Sequence, residues 1–504
     1  MKHLILSLAL LSATVGANAF CGFYVAKAGS NLYNNKSEVI IVRDGNLTTL
    51  TMSNDFKGDV KDFAMVVPVP ELLRERDIKV VNRDIFTKID AYSAPRMVEY
   101  YDPDPCNNYR YKFKSLSDKK SEVAFDMVEV TSAAAENYNV TIEAQYTVGE
   151  YDIIILSAEQ SSGLESWLKD NGYSIPDNAK EVLQPYINDK LKFFVVKVNL
   201  NNVGSTGFDY LRPIQITYSS TRFMLPIRLG MANAKNFQDL IVYTFTRNGR
   251  VECTNYRTEK MPTGNNIPTF ALNQFDSFYI KTFNRQYHKN NRNTVFLEYA
   301  WNVTPSFTGM KCDPCVGNPP MYNEFVDAGV SWLSGDPNAT VFFTRLHVRY
   351  KRDDFPQDLM FQATPNNEHY QARYVITHPA AYTDCEKGKQ YLKQLEERKV
   401  DEVLEFCKLT GDRSNRYAWY APNLLKSQPS DDGNSRSIRE KLIDIFDPDS
   451  NTSDPEDAAL GMTSGSDDTK GGDSNAPLFL LLLPLSVMLV AFYKKIRKYK
   501  TVRL

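Results

Sequence analysis

The hydrophobic positions of the chain fall mostly into short runs that predict β-strands. Two β-rich runs flank Asp44-Gly45, a pair that suits the type I′ turn of a hairpin, so residues 37–52 are predicted to form one. A second hairpin is predicted over 241–256, around Asn248-Gly249. Further apolar runs predict strands at 62–70, 143–158, 190–200 and 341–350.

Helical periodicity is confined to a few segments. In 161–173, the side chains of Leu164, Trp167 and Leu168 share one helical face. A second helix is predicted over 178–187. The pattern as a whole therefore predicts an α+β fold.

The predicted fold is a strand-rich, mixed α+β head over residues 20–426, with hairpins and a few helices, plus one C-terminal transmembrane helix. The stretch 205–240 is a candidate boundary between two subdomains. Aromatic residues make up 12% of the chain, so the head has the material for a large core.

Both ends of the chain carry apolar segments that predict export and a membrane anchor. Lys2 precedes an apolar run, and Ala17-Asn18-Ala19 supplies the small residues of a cleavage site, so 1–19 is predicted to be a signal peptide. The uncharged segment 476–493 would span about 27 Å as a helix, close to the roughly 30 Å hydrocarbon core of a bilayer. The tail 494–504 has six basic residues and no acidic one, which predicts that it stays in the cytoplasm.

Residues 427–475 are predicted to form an acidic, disordered stalk between the head and the membrane. The segment holds 12 acidic and 4 basic residues and few apolar ones, so it cannot bury enough apolar surface to fold. The expected topology is that of a single-pass membrane protein whose head lies outside the cytoplasm, in the periplasm or at the cell surface.

Charge and motifs narrow the class of function. The chain has 59 basic and 61 acidic side chains, and a nucleic-acid-binding protein would show a basic surplus. The sequence contains no nucleophile elbow, zinc-protease helix, P-loop or dinucleotide-binding loop. No catalytic, cofactor-binding or metal-binding residue is therefore predicted, and no cofactor is expected.

Several blocks of the sequence carry a resemblance to a known family. They include "CGFYVAKAGSNLYNNKSEVIIVRDGNLTTLTM", "IDAYSAPRMVEYYDPDPC", "YTVGEYDIIILSAEQSSGLESWLKDNGYSIP", "KCDPCVGNPP" and "TRLHVRY". In this order they resemble a bacterial family catalogued as a domain of unknown function, number 2330, over most of 21–380. The resemblance implies a secreted or envelope protein of bacterial origin and implies no activity.

Seven cysteines follow the predicted signal peptide, and disulfides are the default in an exported protein. Cys21 and Cys106 bracket the first block of the resemblance and could staple the N-terminus to the sheet. Cys253 is left as the odd thiol, within a strand.

Cys385 and Cys407 allow two interpretations. In one straight helix they would lie about 33 Å apart, beyond disulfide reach. If the chain turned near Arg398-Lys399, an antiparallel αα-hairpin would bring both to one end. The alternative is that both are reduced cysteines of the core.

Cys312 and Cys315 lie two residues apart in "KCDPCVGNPP". They could form a redox pair, half of a zinc site or a local structural disulfide. Pro319-Pro320 obstructs a helix that would start at the second cysteine, and the sequence gives no second close pair of metal ligands. The structural disulfide is the favoured interpretation.

The strand 341–351 alternates between apolar and basic residues. Arg345, His347, Arg349 and Lys351 fall on one face and could bind an anionic glycan, phosphate or carboxylate. The alternative is an ordinary solvated sheet face.

The function predicted from the sequence is binding or scaffolding in the bacterial envelope. Its expected partners are the membrane, through the C-terminal helix, and an envelope protein or a glycan, with no nucleic acid. The alternative is an envelope enzyme, either a thiol oxidoreductase that uses Cys312 and Cys315 or a hydrolase without a recognised motif.

Overall fold

β-Strands supply most of the regular structure and helices are few, which confirms the strand-rich α+β class. The computed structural model describes residues 23–24, 26–27, 37–53, 64–106, 140–171, 173–174, 179–199, 211–232, 237–305, 319–336 and 338–424. All of them belong to one compact unit, Met1–Leu460, while a second unit, Gly461–Leu504, lies outside the described residues.

The elements are numbered here in chain order. The strands are β1 (Phe23–Tyr24), β2 (Ala26–Lys27), β3 (Ser37–Asp44), β4 (Leu47–Ser53), β5 (Ala64–Val69), β6 (Ile78–Val80), β7 (Arg96–Tyr101), β8 (Val140–Val148), β9 (Tyr151–Ala158), β10 (Tyr173–Ser174), β11 (Lys192–Val198), β12 (Ile214–Ser219), β13 (Met224–Leu225), β14 (Gln238–Thr246), β15 (Val251–Cys253), β16 (Arg257–Lys260), β17 (Asn265–Asn266), β18 (Thr294–Val303), β19 (Val341–Tyr350), β20 (Leu359–Ala363), β21 (Tyr370–Gln371) and β22 (Arg373–His378). The α-helices are α1 (Asp84–Ser93), α2 (Ser161–Asp170), α3 (Ala179–Asn188), α4 (Arg228–Ala232), α5 (Phe275–Lys289), α6 (Tyr322–Asp327) and α7 (Glu386–Thr410).

The largest sheet has nine strands. Eight of them follow the order β16-β18-β19-β14-β3-β4-β12-β6, and β21 pairs with β18. A five-stranded sheet has the order β1-β5-β11-β9-β8, and smaller sheets are β10-β2, β13-β20-β15 and β17-β22-β7. The main sheet takes strands from both sides of residues 205–240, so a boundary placed there does not separate two sheets.

The two large sheets pack face to face, and helices cover their outer faces. Val39 and Ile41 of β3 share one buried cluster with Val67 of β5. Ile40 and Val42 point to the opposite side of β3, where they pack with α1. The outer face of the five-stranded sheet packs on α2 and α3. Because both of its faces are covered, the main sheet buries every residue of β14 and β19.

Local patterns predicted several elements correctly. β3 and β4 form the predicted hairpin, but Asp44 pairs with Leu47, so the two-residue loop is Gly45-Asn46 and not Asp44-Gly45. Gly45 has a positive φ of +58° and Asn46 does not, so the predicted type I′ turn, which needs a positive φ at both central residues, is wrong. Helices α2 and α3 confirm the two predicted helices. Strands β5, β8, β9, β11 and β19 confirm the predicted strands.

The predicted hairpin over 241–256 is wrong. Both of its strands exist, but β14 pairs with β3 on one side and with β19 on the other. Because both edges of β14 are occupied, the chain turns at Gly249 and β15 pairs with β20 in another sheet.

The αα-hairpin, one of the two interpretations of Cys385 and Cys407, is also wrong, because α7 is a single helix of 25 residues. The alternative of two reduced core cysteines holds for Cys407 and not for Cys385, which is bonded to Cys106.

The apolar residues of α7 pack on α5, where the rings of Phe278 and Phe406 stack with centroids 5.3 Å apart. That contact buries the apolar face of α7 without a turn near Arg398.

Among the residues described, no helix is long and apolar enough to cross a membrane. The predicted signal peptide, stalk, transmembrane segment and basic tail lie outside the described residues, so those expectations stay predictions.

Candidate functional site

The basic stripe of β19 lies inside the protein. Arg345, His347 and Arg349 are only 5, 1 and 3% exposed, because β19 lies within the main sheet and is covered on both faces. Both interpretations of this stripe, an anion-binding face and an ordinary solvated face, required exposed side chains. Both are therefore wrong for these three residues. Lys351 follows the strand, is half-buried and lies 3.8 Å from the carboxylate of Asp354.

Three carboxylates from other elements meet the stripe. Asp90 comes from α1, Asp239 from β14 and Glu298 from β18. Sequence analysis did not single out any of them, although Asp239 and Glu298 each interrupt an apolar strand. We define the ionic cluster as Asp90, Asp239, Glu298, Arg345, His347 and Arg349.

A β-bulge aims Glu298 at the basic side chains. The register of β18 against β19 shifts between Leu297 and Tyr299, so Glu298 is the extra residue of the bulge. Its carboxylate accepts a hydrogen bond from Arg345 Nε at 2.6 Å and lies 2.8 Å from His347 Nδ1. The bulge thus places one buried anion between two basic side chains.

Asp239 occupies the other end of the cluster. Its two oxygens accept parallel hydrogen bonds from Nε and Nη2 of Arg349, both at 2.9 Å, which is the bidentate geometry of a strong ion pair. Asp239 also lies 3.2 Å from His347 Nε2. His347 therefore has a carboxylate at each ring nitrogen, which favours the doubly protonated imidazole.

Asp90 connects helix α1 to the cluster. Its Oδ1 accepts hydrogen bonds from Arg345 Nη1 at 2.5 Å and from the hydroxyl of Tyr243 at 2.7 Å. The Tyr243 hydroxyl also lies 2.9 Å from the carboxylate of Glu38. The cluster thus joins the helical layer to three adjacent strands of the sheet.

The charges of the cluster hold one another in the ionised state. Burial alone raises the pKa of Glu298, but Arg345 and His347 outweigh it and hold that pKa at about 2. At Asp239, burial raises the pKa, but Arg349 and His347 lower it by more, so that the pKa falls below its usual range. Burial lowers the pKa of His347, but its two carboxylate neighbours raise it above the usual value. With His347 protonated, three cations balance three anions.

Helix α5 covers the cluster with aromatic rings. Phe283 stacks on His347 with ring centroids 3.9 Å apart, and its ring lies 5.0 Å from the guanidinium carbon of Arg349. An external anion would have to displace carboxylates that are already bound. The arrangement therefore suits a structural role better than an open binding site.

The described cysteines contradict both predicted pairings. Cys106 bonds to Cys385, with the Cα atoms 5.9 Å apart, so neither Cys21–Cys106 nor Cys385–Cys407 forms. Cys407 is a buried free thiol near the far end of α7, and burial is the main reason that its pKa rises to about 12.

Cys253 is also a buried free thiol, in β15. This confirms the prediction of a free thiol within a strand, but Cys253 is not the single odd cysteine, because Cys407 is free as well. Cys312 and Cys315 lie outside the described residues, so the interpretations of that pair stay predictions.

The disulfide lies where two parallel strands and a helix meet. Strands β7 and β22 run parallel, and their last residues, Tyr101 and His378, are paired in register. Just after β7, Asp102 accepts hydrogen bonds from the hydroxyl of Tyr391 at 2.6 Å and from Arg398 Nη1 at 2.8 Å, both on α7. These contacts place the start of α7 beside the end of β7.

Exposed tyrosines precede both cysteines of this disulfide in the chain. Tyr101 and Tyr382 are each 73% exposed. His378 stacks on Tyr101, with centroids 4.6 Å apart and ring planes 14° apart, and its Nε2 lies 2.7 Å from Glu99. The backbone carbonyl oxygen of Tyr382 lies 3.9 Å from Cys106 Sγ. We define the tyrosine face as Tyr101, His378 and Tyr382.

Sequence analysis missed the tyrosine face. The only local signal is "EYYDPDPC", in which two tyrosines end a strand just before a proline-rich turn. His378 and Tyr382 are distant in sequence and reach this surface only through the pairing of β22 with β7.

A groove is a further feature of the described surface. A shallow groove of about 470 Å³ beside β8 and β9 is lined by Glu75, Tyr146, Asp152 and Lys197, among other residues. None of its lining residues belongs to the ionic cluster or the tyrosine face. Within the described part of the chain, no group of three or more His, Cys, Asp and Glu side chains is arranged to hold a metal ion.

These features define a strand-rich α+β protein with a largely buried ionic cluster inside and exposed tyrosines near a disulfide outside. A family model described as an uncharacterized protein conserved in bacteria, domain of unknown function number 2330, matches residues 15–362, more than half of the 504. The chain therefore belongs to this bacterial family, which confirms the resemblance seen in the sequence. No curated protein and no solved structure matches the chain.

The matched region contains the whole ionic cluster, together with Tyr101 and Cys106. It ends before β22 and α7, so His378, Tyr382 and Cys385 lie beyond it.

Proposed function

We propose that this chain is an exported binding protein of the bacterial envelope, held to a membrane by residues 476–493, and that its tyrosine face binds a glycan. The observation that carries the proposal is the exposure of Tyr101 and Tyr382, each 73%, beside a disulfide that fixes the chain around them.

The disulfide supports export. Cys106 and Cys385 are 279 residues apart in sequence, so their bond links distant parts of the head. Such bonds form and persist in oxidising compartments and are rare in the cytosol. The signal peptide and the anchor predicted from the sequence agree with a head that lies outside the cytoplasm.

The shape and polarity of the tyrosine face suit a sugar ligand. One face of a sugar ring is lined by C–H groups and can pack on a flat aromatic ring, while its hydroxyls need polar partners at the rim. His378 backs Tyr101, and Glu99 supplies a carboxylate nearby. Because the stacked pair is already ordered, binding loses little side-chain entropy.

Glycan binding can be tested on the purified full-length chain in detergent. The probes are chitotetraose and soluble peptidoglycan fragments, with affinity measured by isothermal titration calorimetry. We expect Tyr101→Ala and Tyr382→Ala to weaken binding at least about fivefold, since truncation of an aromatic anchor removes more than about 1 kcal/mol. Trp419→Ala is the matched control, because Trp419 is 67% exposed but does not belong to the tyrosine face.

Three results would contradict the ligand assignment. Equal binding by wild type and both tyrosine variants would move the ligand site elsewhere. Failure of the wild type to bind either probe would exclude these glycans, and co-purification of an envelope protein that depends on Tyr101 would replace the glycan with a protein partner.

Export and topology need a separate experiment. Protease added to intact spheroplasts should degrade the head and spare the C-terminal tail. A head that is degraded only after the membrane is broken would contradict the proposed location, whatever the ligand.

A further inference from the structure

The two sulfur atoms of the Cys106–Cys385 bond have unequal surroundings. Cys106 is exposed, whereas Cys385 is half-buried. The other two cysteines that the structure describes, Cys253 and Cys407, are buried thiols. Within the described part of the chain, a thiol in solution can therefore reach cysteine sulfur only at this bond.

Cys385 caps the N-terminus of α7. Its sulfur accepts a hydrogen bond from the backbone N–H of Gly388 at 3.3 Å. A helix of 25 residues follows, and the N–H groups and dipole at a helix N-terminus stabilise a thiolate. The sulfur of Cys106 instead lies 3.9 Å from the carbonyl oxygen of Tyr382, an electron-rich neighbour that disfavours negative charge.

The charged side chains next to Cys385 in the sequence do not offset the difference in thiolate stability between the two sulfur atoms. Asp384 and Glu386 are acidic, and Lys387 and Lys389 are basic, so their net charge is zero. The N–H groups of the helix remain at Cys385, whereas the carboxylate of Asp104 accepts a hydrogen bond from the backbone N–H of Cys106 at 2.8 Å and disfavours negative charge on that side of the bond.

Gly388 keeps the sulfur in place. A Cβ added at this glycine would lie 2.0 Å from the carbonyl oxygen of Thr383, because the chain before the helix folds tightly over its first turn. Any larger residue must shift the segment that carries Cys385. Position 388 therefore offers a way to disturb the cap without removing a cysteine.

We propose that the Cys106–Cys385 bond is a thiol–disulfide exchange site whose reductant is a dithiol. One thiolate of the dithiol attacks the exposed sulfur of Cys106 and forms a mixed disulfide. The Cys106–Cys385 bond breaks, and its electron pair passes to Cys385, which leaves as the thiolate at the helix cap. The better-stabilised sulfur is thus the leaving group, which favours rapid exchange.

The second thiol of the reductant completes the reaction. It attacks the reductant's own sulfur in the mixed disulfide and releases Cys106 as a thiolate. The reductant leaves as an internal disulfide, having lost two electrons, and the two cysteines take up two protons.

Reduction would loosen the tyrosine face without releasing α7. The bond ties residues 103–106 to the segment that carries Tyr382, whereas Asp102 still holds α7 through Tyr391 and Arg398. This consequence for a ligand rests on the proposed function, but the exchange chemistry does not.

The first test needs no substitution. The full-length protein in detergent is treated with dithiothreitol at pH 7, and thiols at 106 and 385 are counted by alkylation and mass spectrometry, with and without guanidinium chloride. We expect the native protein to be reduced at least as fast as the unfolded one. Slower reduction in the native state would overturn the proposal, because it would show a bond that the fold shields.

The second test compares the two thiols. Cys106→Ser leaves Cys385 alone, and Cys385→Ser leaves Cys106 alone; the alkylation rate of each is followed from pH 6 to 9. We expect Cys385 to be alkylated at least about tenfold faster than Cys106 at pH 7, where its larger thiolate fraction is decisive. Equal rates, or a faster Cys106, would overturn the proposal.

A glycine variant separates the helix cap from simple exposure. Gly388→Ala in the Cys106→Ser background should remove most of the rate advantage of Cys385. Gly335→Ala is the matched control, because an added Cβ there meets nothing closer than 3.9 Å, and it should change nothing. An unchanged alkylation rate in Gly388→Ala would show that the helix cap does not cause the faster alkylation of Cys385, and would overturn the proposed leaving group. Glycan affinity is measured in a separate experiment. The glycan proposal can therefore be contradicted while the measured reduction and alkylation rates still support thiol–disulfide exchange.

Discussion

The ionic cluster and the tyrosine face place their side chains in opposite ways. In the ionic cluster, five of the six charged residues are buried and Asp90 is half-buried, and each one contacts an opposite charge. At the tyrosine face, aromatic residues suited to a core are exposed, and a disulfide orders the chain beside them. The difference shows that residue type alone does not reveal location here, because the coverage of the sheet decides which face meets water.

Removing the central anion of the ionic cluster should have the largest effect. Glu298→Ala leaves Arg345 and His347 buried without their shared carboxylate, and loss of one partner from a buried ion pair costs about 3–5 kcal/mol. Urea unfolding of the full-length protein measures the change.

The matched control for that prediction is Glu165→Ala. Glu165 pairs with Lys169 on the exposed side of α2, and a surface pair contributes less than about 1 kcal/mol. If Glu298→Ala costs no more than Glu165→Ala, the ionic cluster does not carry the stability assigned to it.

Removing the disulfide should have the next largest effect. The bond constrains the unfolded chain over 279 residues, so the double variant Cys106→Ser/Cys385→Ser should lose about 2–4 kcal/mol of unfolding free energy. Urea unfolding with and without dithiothreitol checks this. Dithiothreitol should destabilise the wild type more than the double variant, and an equal loss in both would point to a different disulfide.

The ionic cluster should also make stability depend on pH. The pKa of His347 is raised in the folded state, so its contribution is full below about pH 6.5, the unfolded value, and is lost as pH rises through the higher folded value. The pKa values of Glu298 and Asp239 are depressed, so their contributions are full above about pH 4.5 and are lost as pH falls.

Stability carried by the cluster should therefore be greatest between about pH 4.5 and 6.5 and decline above it by at most about 1.4 kcal/mol per pH unit. Urea unfolding from pH 5 to 9 measures the slope. His347→Gln should flatten the alkaline decline, whereas His369→Gln, at an exposed position, should keep it. An unchanged slope in His347→Gln would contradict the protonated state assigned to this residue.

The tyrosine face should contribute least to stability. Tyr101 is 73% exposed and packs mainly on His378, so Tyr101→Ala should change the unfolding free energy by less than about 1.5 kcal/mol. Thermal and urea unfolding check this beside the glycan titration. A larger loss would mean that Tyr101 serves the fold, and the contrast with the ionic cluster would fail.

The sequence by itself determined the elements whose causes are local. The hairpin of β3 and β4 follows from a glycine between two β-rich runs, although its loop lies at Gly45-Asn46, and helix α2 follows from the spacing of Leu164, Trp167 and Leu168. The strand-rich α+β class and the bacterial family could also be predicted, because both depend on the order of such segments along the chain.

Only the tertiary structure decided which segments meet. Asn248-Gly249 makes a turn, but the occupied edges of β14 send β15 to another sheet. Cys106 bonds to Cys385 because the parallel pairing of β7 with β22 brings the start of α7 beside the end of β7. The basic stripe of β19 is buried because helices cover that sheet, and Asp239 and Glu298 neutralise it from neighbouring strands. Alternation along one strand fixes which residues share a face, whereas burial and charge balance depend on neighbours that are distant in sequence.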